Sequence, residues 1–163
     1  MPSLIDELLY FYYNYDNFQT SYFDKEKAIR YFKTIIDKNC ICTTLNDDGK
    51  LIGYVEFWRI NYEQFGRILC CEPINIYDED IENGPICYLA NITVHPDFRR
   101  GRTIIDLRGK FFRENYYSKY FVGHAKRKKT QPVKVFTRQE AFMKWIPNTE
   151  AKKWVDQEKA QQL

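Results

Sequence analysis

Apolar residues return along this chain at two intervals, and the change from one interval to the other marks out most of its elements. Leu4, Leu8, Leu9 and Tyr12 fall at helical spacing, with Ser3 three residues ahead of Asp6, which predicts a helix over 3–13 capped by Ser3. The stretch YNYDNFQTSYF has no period and reads as a loop. Asp24 caps a second predicted helix, in which Ala28, Tyr31, Phe32, Ile35 and Ile36 form one apolar stripe and Asn39 ends the run. The interval then shortens to two. ICTTL and LIGYVEFWRI, joined by Asn46, Asp47, Asp48 and Gly49, predict a hairpin in which Gly49 supplies the positive φ of the turn. The second of these strands is apolar on both faces, as a covered central strand must be.

Residues 61–85 are irregular, with two adjacent cysteines, two prolines and the acidic run YDEDIE, and read as a long excursion with a short edge strand around 67–70. ICYLANITV predicts a buried strand stopped by Pro96. A helix follows over 103–117, with Ile104, Leu107, Phe111 and Phe112 as its core stripe. YFVGHA and VKVFTR read as strands on either side of the basic turn KRKKTQP, and Ala151, Trp154 and Val155 mark a last helix. The total is about six strands and four helices without an internal repeat.

With 163 residues, 44% of them hydrophobic and 29% charged, the chain can bury one core, so a single domain over 1–163 is expected and wholesale disorder is excluded. Nothing approaches the roughly 18 to 20 apolar residues needed to span a bilayer, and Asp6 and Glu7 stand where a secretion signal carries cations. A cytoplasmic protein without membrane contact is the expectation. The cysteines, Cys40, Cys42, Cys70, Cys71 and Cys87, are odd in number and show no CxxC spacing, and the only histidines are His95 and His124. Buried reduced thiols and no metal site follow. Charge changes the picture more. Up to Cys87 there are 8 Lys and Arg against 15 Asp and Glu, and from Tyr88 onward 17 against 7. A basic half opposed to an acidic half suggests a bound polyanion, either a phosphorylated cofactor or nucleic acid, or two solvated faces of opposite sign.

One junction concentrates the candidate chemistry. The strand ending at Val94 runs through His95 and Pro96 into Arg99, Arg100, Gly101 and Arg102, and then directly into a helix. A helix start offers unpaired N–H groups and a positive dipole end, both suited to phosphate, and the arginines add charge-assisted donors. The string YLANITVHPDFRRGRTIIDL resembles the signature of the GNAT acyltransferase superfamily, in which a strand ending in Val-x-Pro leads into Arg/Gln-x-x-Gly-x-Gly/Ala and a helix. Asn91, Ile92, Thr93 and Val94 particularly resemble the ribosomal-protein N-terminal acetyltransferases.

The resemblance implies an α/β fold of GNAT type, with a mixed, mostly antiparallel central sheet flanked by helices. It also implies acetyl-CoA as co-substrate and an amine of a protein, peptide or small molecule as acceptor. Carried over by position, Ile92, Thr93 and Val94 would hold pantetheine, and Arg99, Arg100, Gly101, Arg102, Thr103 and Ile104 the pyrophosphate. Arg102 and Ile104 stand where the family has small residues.

Amine attack on a thioester needs a base for the amine proton and an acid for the leaving thiolate. The family often places a glutamate near Ala90 or Asn91, where this chain has none; Glu56 on the adjacent strand is the nearest substitute, and His124 titrates in the right range. Tyr120, with Tyr116 and Tyr117, is a candidate acid. The acceptor would enter between the first two helices and the 61–85 excursion, whose acidic run suits a cation. Lys126, Arg127, Lys128 and Lys129 fit the 3′-phosphate of CoA, a nucleic-acid backbone or plain solvation. The alternative is a non-catalytic protein of the same fold that binds nucleic acid or a protein partner through its basic half; a structural protein without a ligand would leave the charge split unexplained.

Overall fold

The computed structural model describes residues 3–15, 24–70, 72–124 and 133–137, the last five and His124 by backbone only. The helix predicted over 151–155 and the basic turn at 126–129 lie outside the described residues. The elements run α1 (Leu4–Tyr15), α2 (Lys25–Asp37), β1 (Ile41–Leu45), β2 (Leu51–Ile60), α3 (Tyr62–Leu69), β3 (Ile86–Val94), α4 (Arg102–Glu114), β4 (Tyr120–His124) and β5 (Val133–Thr137). The strands form a sheet of order β1-β2-β3-β4-β5. β1 pairs antiparallel with β2, β3 parallel with β4, and β4 antiparallel with β5. The His95 N–H donates to the Ile52 carbonyl, and the Trp58 and Tyr88 rings lie 5.5 Å apart, so β2 and β3 also run antiparallel. This is the mixed, mostly antiparallel sheet that the resemblance implies, with five strands among the described residues where about six are expected.

The chain condenses into two compact units, one within Met1–Glu56 and Asn91–Glu114, the other within Phe57–Ala90 and Asn115–Leu163; β2 and β3 pass through both. In the first unit, the Ser3 hydroxyl accepts from the Asp6 N–H while the Asp6 carboxylate accepts from the Ser3 N–H and hydroxyl, a reciprocal cap that starts α1. The Asp24 carboxylate accepts from the Lys27 N–H and starts α2, which closes at Asn39 with φ 58°. In the β1–β2 turn Gly49 has φ 78°, and the Asn46 side chain accepts from the Asp48 and Lys50 N–H groups. Phe11 and Phe32 pack on Tyr54 from one face of β2, with ring centroids 6.3 and 5.9 Å away. Gly53, pointing to the other face, receives α4 through Leu107.

In the second unit the edge strand expected at 67–70 is replaced by α3. Asn61 accepts from the Gln64 N–H and Gln64 returns the bond to the Asn61 N–H, a capping box that commits the segment to a helix. Tyr62 and Phe65, three apart, are the apolar positions it buries, with Gln64 of the capping box buried beside them. The acidic run beyond builds its own loop. Glu79 pairs with Arg67 and accepts from the Asn75 N–H, Asp78 accepts from the Asn75 side chain, and Asp80 accepts from the Glu82 and Asn83 N–H groups. Arg67 above all, with the Asn75 N–H and the Gln64 side chain, holds the Glu79 carboxyl down at about 2.

Arg59, 5% exposed on β2, anchors the end of the excursion. Its guanidinium donates to the Asn115 side chain at 2.7 Å and the Glu82 carbonyl at 3.3 Å, and its backbone pairs with Ile81 and Gly84. Cys40, Cys42 and Cys87 are buried free thiols, whereas Cys70, expected inside, is exposed at the end of α3. Among the described residues no helix is long and apolar enough to cross a membrane.

Candidate functional site

The junction singled out in the sequence is built entirely within the first unit. The His95 N–H donates to the Ile52 carbonyl, and the Thr93 carbonyl lies toward Gly53, so both point to β2. Because successive residues of a strand turn their N–H and C=O to alternate edges, those of Ile92 and Val94 point to the opposite edge. There the Val94 carbonyl already accepts a hydrogen bond from Arg99 Nε at 3.1 Å. Residues 89–92, in the middle of β3, are all half-buried, unusual for the centre of a five-stranded sheet.

Past Val94 the chain makes one 3-10 turn, Pro96–Phe98, whose start is held by His95 Nδ1 accepting from the Asp97 N–H at 3.1 Å. Arg99, bonded back to Val94, closes the turn. Arg100, Gly101 and Arg102 follow, all exposed, and α4 begins at Arg102 with no acidic residue in its first turn. No side-chain hydrogen bond or ion pair ties Arg100 or Arg102 to another described residue. A Cβ placed on Gly101 would meet nothing within 4 Å, so the backbone there faces open space. An anion therefore finds helix N–H groups, two exposed guanidiniums and an unobstructed backbone at one place, which suits a pyrophosphate. Thr93, Val94 and Thr103 are buried, so what they can offer a ligand is backbone; Ile92 and Ile104 are half-buried.

Two residues that set this geometry were not picked out by sequence reasoning. On Gly53 a Cβ would come within 2.9 Å of Leu107 Cδ1 and 3.3 Å of both the Thr93 carbonyl oxygen and Val94 Cγ2. Its missing side chain is what lets α4 sit tight against β2 and β3. Lys110 Nζ, further along α4, donates to the Thr43 carbonyl at 2.7 Å and ties the helix to β1. A glycine inside an otherwise apolar strand is a signal of close approach, and it was there to be used.

The candidate acid–base residues divide between the units. Glu56, 5% exposed, ends the first unit opposite Ile41 and shares the face of Ile52 and Tyr54 by strand alternation. Tyr120 and His124 belong to the second. Tyr120 is buried with its ring 6.5 Å from that of Tyr62, and His124 pairs with Val133. Tyr116 and Tyr117 are 67% and 52% exposed, in the turn after α4 and not on the helix. The core stripe of α4 is Thr103, Leu107 and Phe111; Ile104 and Phe112, expected within it, are only half-buried. Tyr88 is taken out of acid–base work near neutrality by burial, which pushes its phenol up to about 12.

Residues 5–104 match the model of the acetyltransferase (GNAT) family. No curated protein matches the chain in sequence. Among solved structures it is similar to GphF, a GNAT-like decarboxylase in complex with isobutyryl-CoA, with a TM-score of 0.56 at 14% identity, covering 80% of this chain and 65% of that one. This chain thus spans less than two thirds of the decarboxylase's length. A ribosomal-protein-alanine N-acetyltransferase from Brucella melitensis is similar over 76% of this chain and 68% of its own, with a TM-score of 0.47 at 12% identity.

Proposed function

Because the chain belongs to the acetyltransferase (GNAT) family, we propose that it transfers an acyl group, in the first instance acetyl, from a coenzyme A thioester to an amine of a protein, peptide or small molecule. The observation that carries this reading is the junction of β3 and α4, where the exposed Arg100 and Arg102 flank the open backbone at Gly101 directly at the start of α4. That a structurally similar protein is described in complex with isobutyryl-CoA supports a CoA thioester as the ligand class.

When bound, acyl-CoA supplies an activated carbonyl for an amine nitrogen to attack. Arg100 and Arg102 neutralise the pyrophosphate, with the α4 N–H groups as fixed donors. The outward N–H and C=O of Ile92 hold the pantetheine amides as a neighbouring strand would. Arg99 has a different part: bonded to the Val94 carbonyl, it keeps the turn in shape. Proton removal from the amine falls to Glu56 or His124, and Tyr120 is the candidate donor to the departing thiolate.

Equilibrium binding tests the reading. Acetyl-CoA should bind the native chain, and Arg100→Glu together with Arg102→Glu should abolish binding while leaving the unliganded melting point within a few degrees, since both side chains are exposed. Unchanged binding in the double variant would remove the pyrophosphate assignment. With an acceptor in hand, Glu56→Gln and His124→Ala should each leave acetyl-CoA binding intact, and the base is the one whose loss lowers turnover roughly a hundredfold. Normal turnover in both leaves proton removal to water.

A second reading, binding of single-stranded nucleic acid, is favoured by the exposed rings of Tyr116 and Tyr117, 5.1 Å apart, in the basic half of the chain.

A further inference from the structure

A cleft of about 580 Å³ opens in the first unit between α1, the β1–β2 turn and His95, and no part of the acyl-transfer scheme uses it. Its volume is in the range of small-ligand sites. One wall is aromatic. The Tyr15 ring stands 5.7 Å from Tyr10, 5.1 Å from Phe11 and 4.9 Å from His95, each contact edge-on, so the rings are held at steep angles to one another and not stacked flat.

The other wall is anionic. Among the described residues that line it, Asp6, Glu7 and Asp48 stand against one lysine, Lys50. Asp6 and Glu7 are held in place by neutral donors: Asp6 Oδ2 accepts from Ser3, and Glu7 Oε1 accepts from the Leu51 N–H at 3.0 Å. Neither forms an ion pair with a described residue, although Lys25 acts on Asp6 through space, so neutral donors set their orientation. Angled aromatic rings beside carboxylates that outnumber the lysine of the cleft form a receptor for a cation that carries apolar surface. Ring quadrupoles favour the charge, the apolar faces take its methylene or methyl groups, and the carboxylates supply the field. A bare metal ion would use neither ring nor apolar wall.

We propose that this cleft binds an organic ammonium group. It is separate from the pyrophosphate turn, although His95 borders both, and it holds whether or not the chain transfers acyl groups.

Choline and its uncharged isostere 3,3-dimethylbutan-1-ol test the idea by calorimetric titration of the full chain at constant ionic strength. The cleft predicts saturable choline binding and at least about tenfold weaker binding of the alcohol, because the two differ only in charge. Glu7→Gln keeps an oxygen for the Leu51 N–H while deleting the charge, and Tyr10→Leu removes an exposed ring. Each should weaken choline several-fold, and acetyl-CoA affinity should be unchanged in Tyr10→Leu. No choline binding at tens of millimolar, equal binding of the two probes, or full affinity in both variants would each overturn the proposal. Loss of acetyl-CoA binding with choline binding intact would count against the acyl-transfer reading alone.

Discussion

Gly53 illustrates how one absent side chain can set a site made by other residues. The proposed phosphate site needs the start of α4 beside the end of β3, and that spacing is set where Leu107 meets Gly53, close to Thr93 and Val94. Gly53→Ala places a methyl 2.9 Å from a leucine methyl, which can rotate away, and 3.3 Å from a backbone oxygen, which cannot. We expect a cost of about 1 to 3 kcal/mol in denaturant unfolding, with acetyl-CoA affinity falling several-fold because α4 is pushed outward. Arg100→Ala makes the contrast: exposed and without a side-chain partner among the described residues, it should weaken acetyl-CoA with almost no change in stability. If Gly53→Ala destabilises but leaves affinity untouched, the helix start is not what binds the cofactor. In the second unit, Gly84→Ala should be harsher, about 3 kcal/mol, because the new methyl would collide with the Ile60 carbonyl.

Among the elements, the excursion held by α3 makes a claim about pH. The ordinary carboxyl value for Glu79 is 4.5, and Arg67 with its companion donors depresses it to about 2 in the folded chain. A depressed carboxyl contributes stability that is present above pH 4.5 and is lost as pH falls from there toward 2. Glu79→Gln should therefore be less stable than the native chain at pH 7, and the gap should narrow in unfolding experiments at pH 3. A gap that stays constant with pH would mean that the Arg67 pair is not what lowers the carboxyl.

The same elements show what the sequence could convey. The hairpin turn at Gly49, the caps at Ser3 and Asp24 and the arginine-rich turn before α4 were legible because each is specified by residues within four or five positions of one another. α3 was just as local. Its Asn61 to Gln64 box and the spacing of Tyr62 and Phe65 were present, but the prolines and cysteines that follow drew the segment toward irregular structure. The packing of α4 on Gly53, the tie from Lys110 to Thr43 and the Arg59 to Asn115 bond were not legible, because they join residues more than 50 positions apart and depend on side-chain direction. Sequence spacing gives no measure of either.

At the level of the whole molecule, the charge division between the halves has two competing uses. The half from Tyr88 onward carries 17 cations against 7 anions, which would attract the phosphates of CoA or of a nucleic acid alike. Affinity alone does not separate them, because each gains from the same field; the number of charges released on binding does. A single strand that neutralises Z phosphates loses affinity with a slope of about −0.7Z in a log–log plot against salt, whereas a compact CoA site with a few fixed contacts has a shallow slope. Acetyl-CoA at 100 times its dissociation constant should stabilise the chain by about 2.7 kcal/mol, or roughly 5 to 10 °C in melting temperature for a protein of this size. A short pyrimidine oligonucleotide should give a smaller shift that vanishes between 50 and 200 mM salt, with Arg100→Glu and Arg102→Glu abolishing the first shift and sparing most of the second. The reverse pattern, a large oligonucleotide shift carried by Tyr116 and Tyr117 with no response to acetyl-CoA, would show that this member of the family keeps the fold and uses its charge for nucleic acid instead.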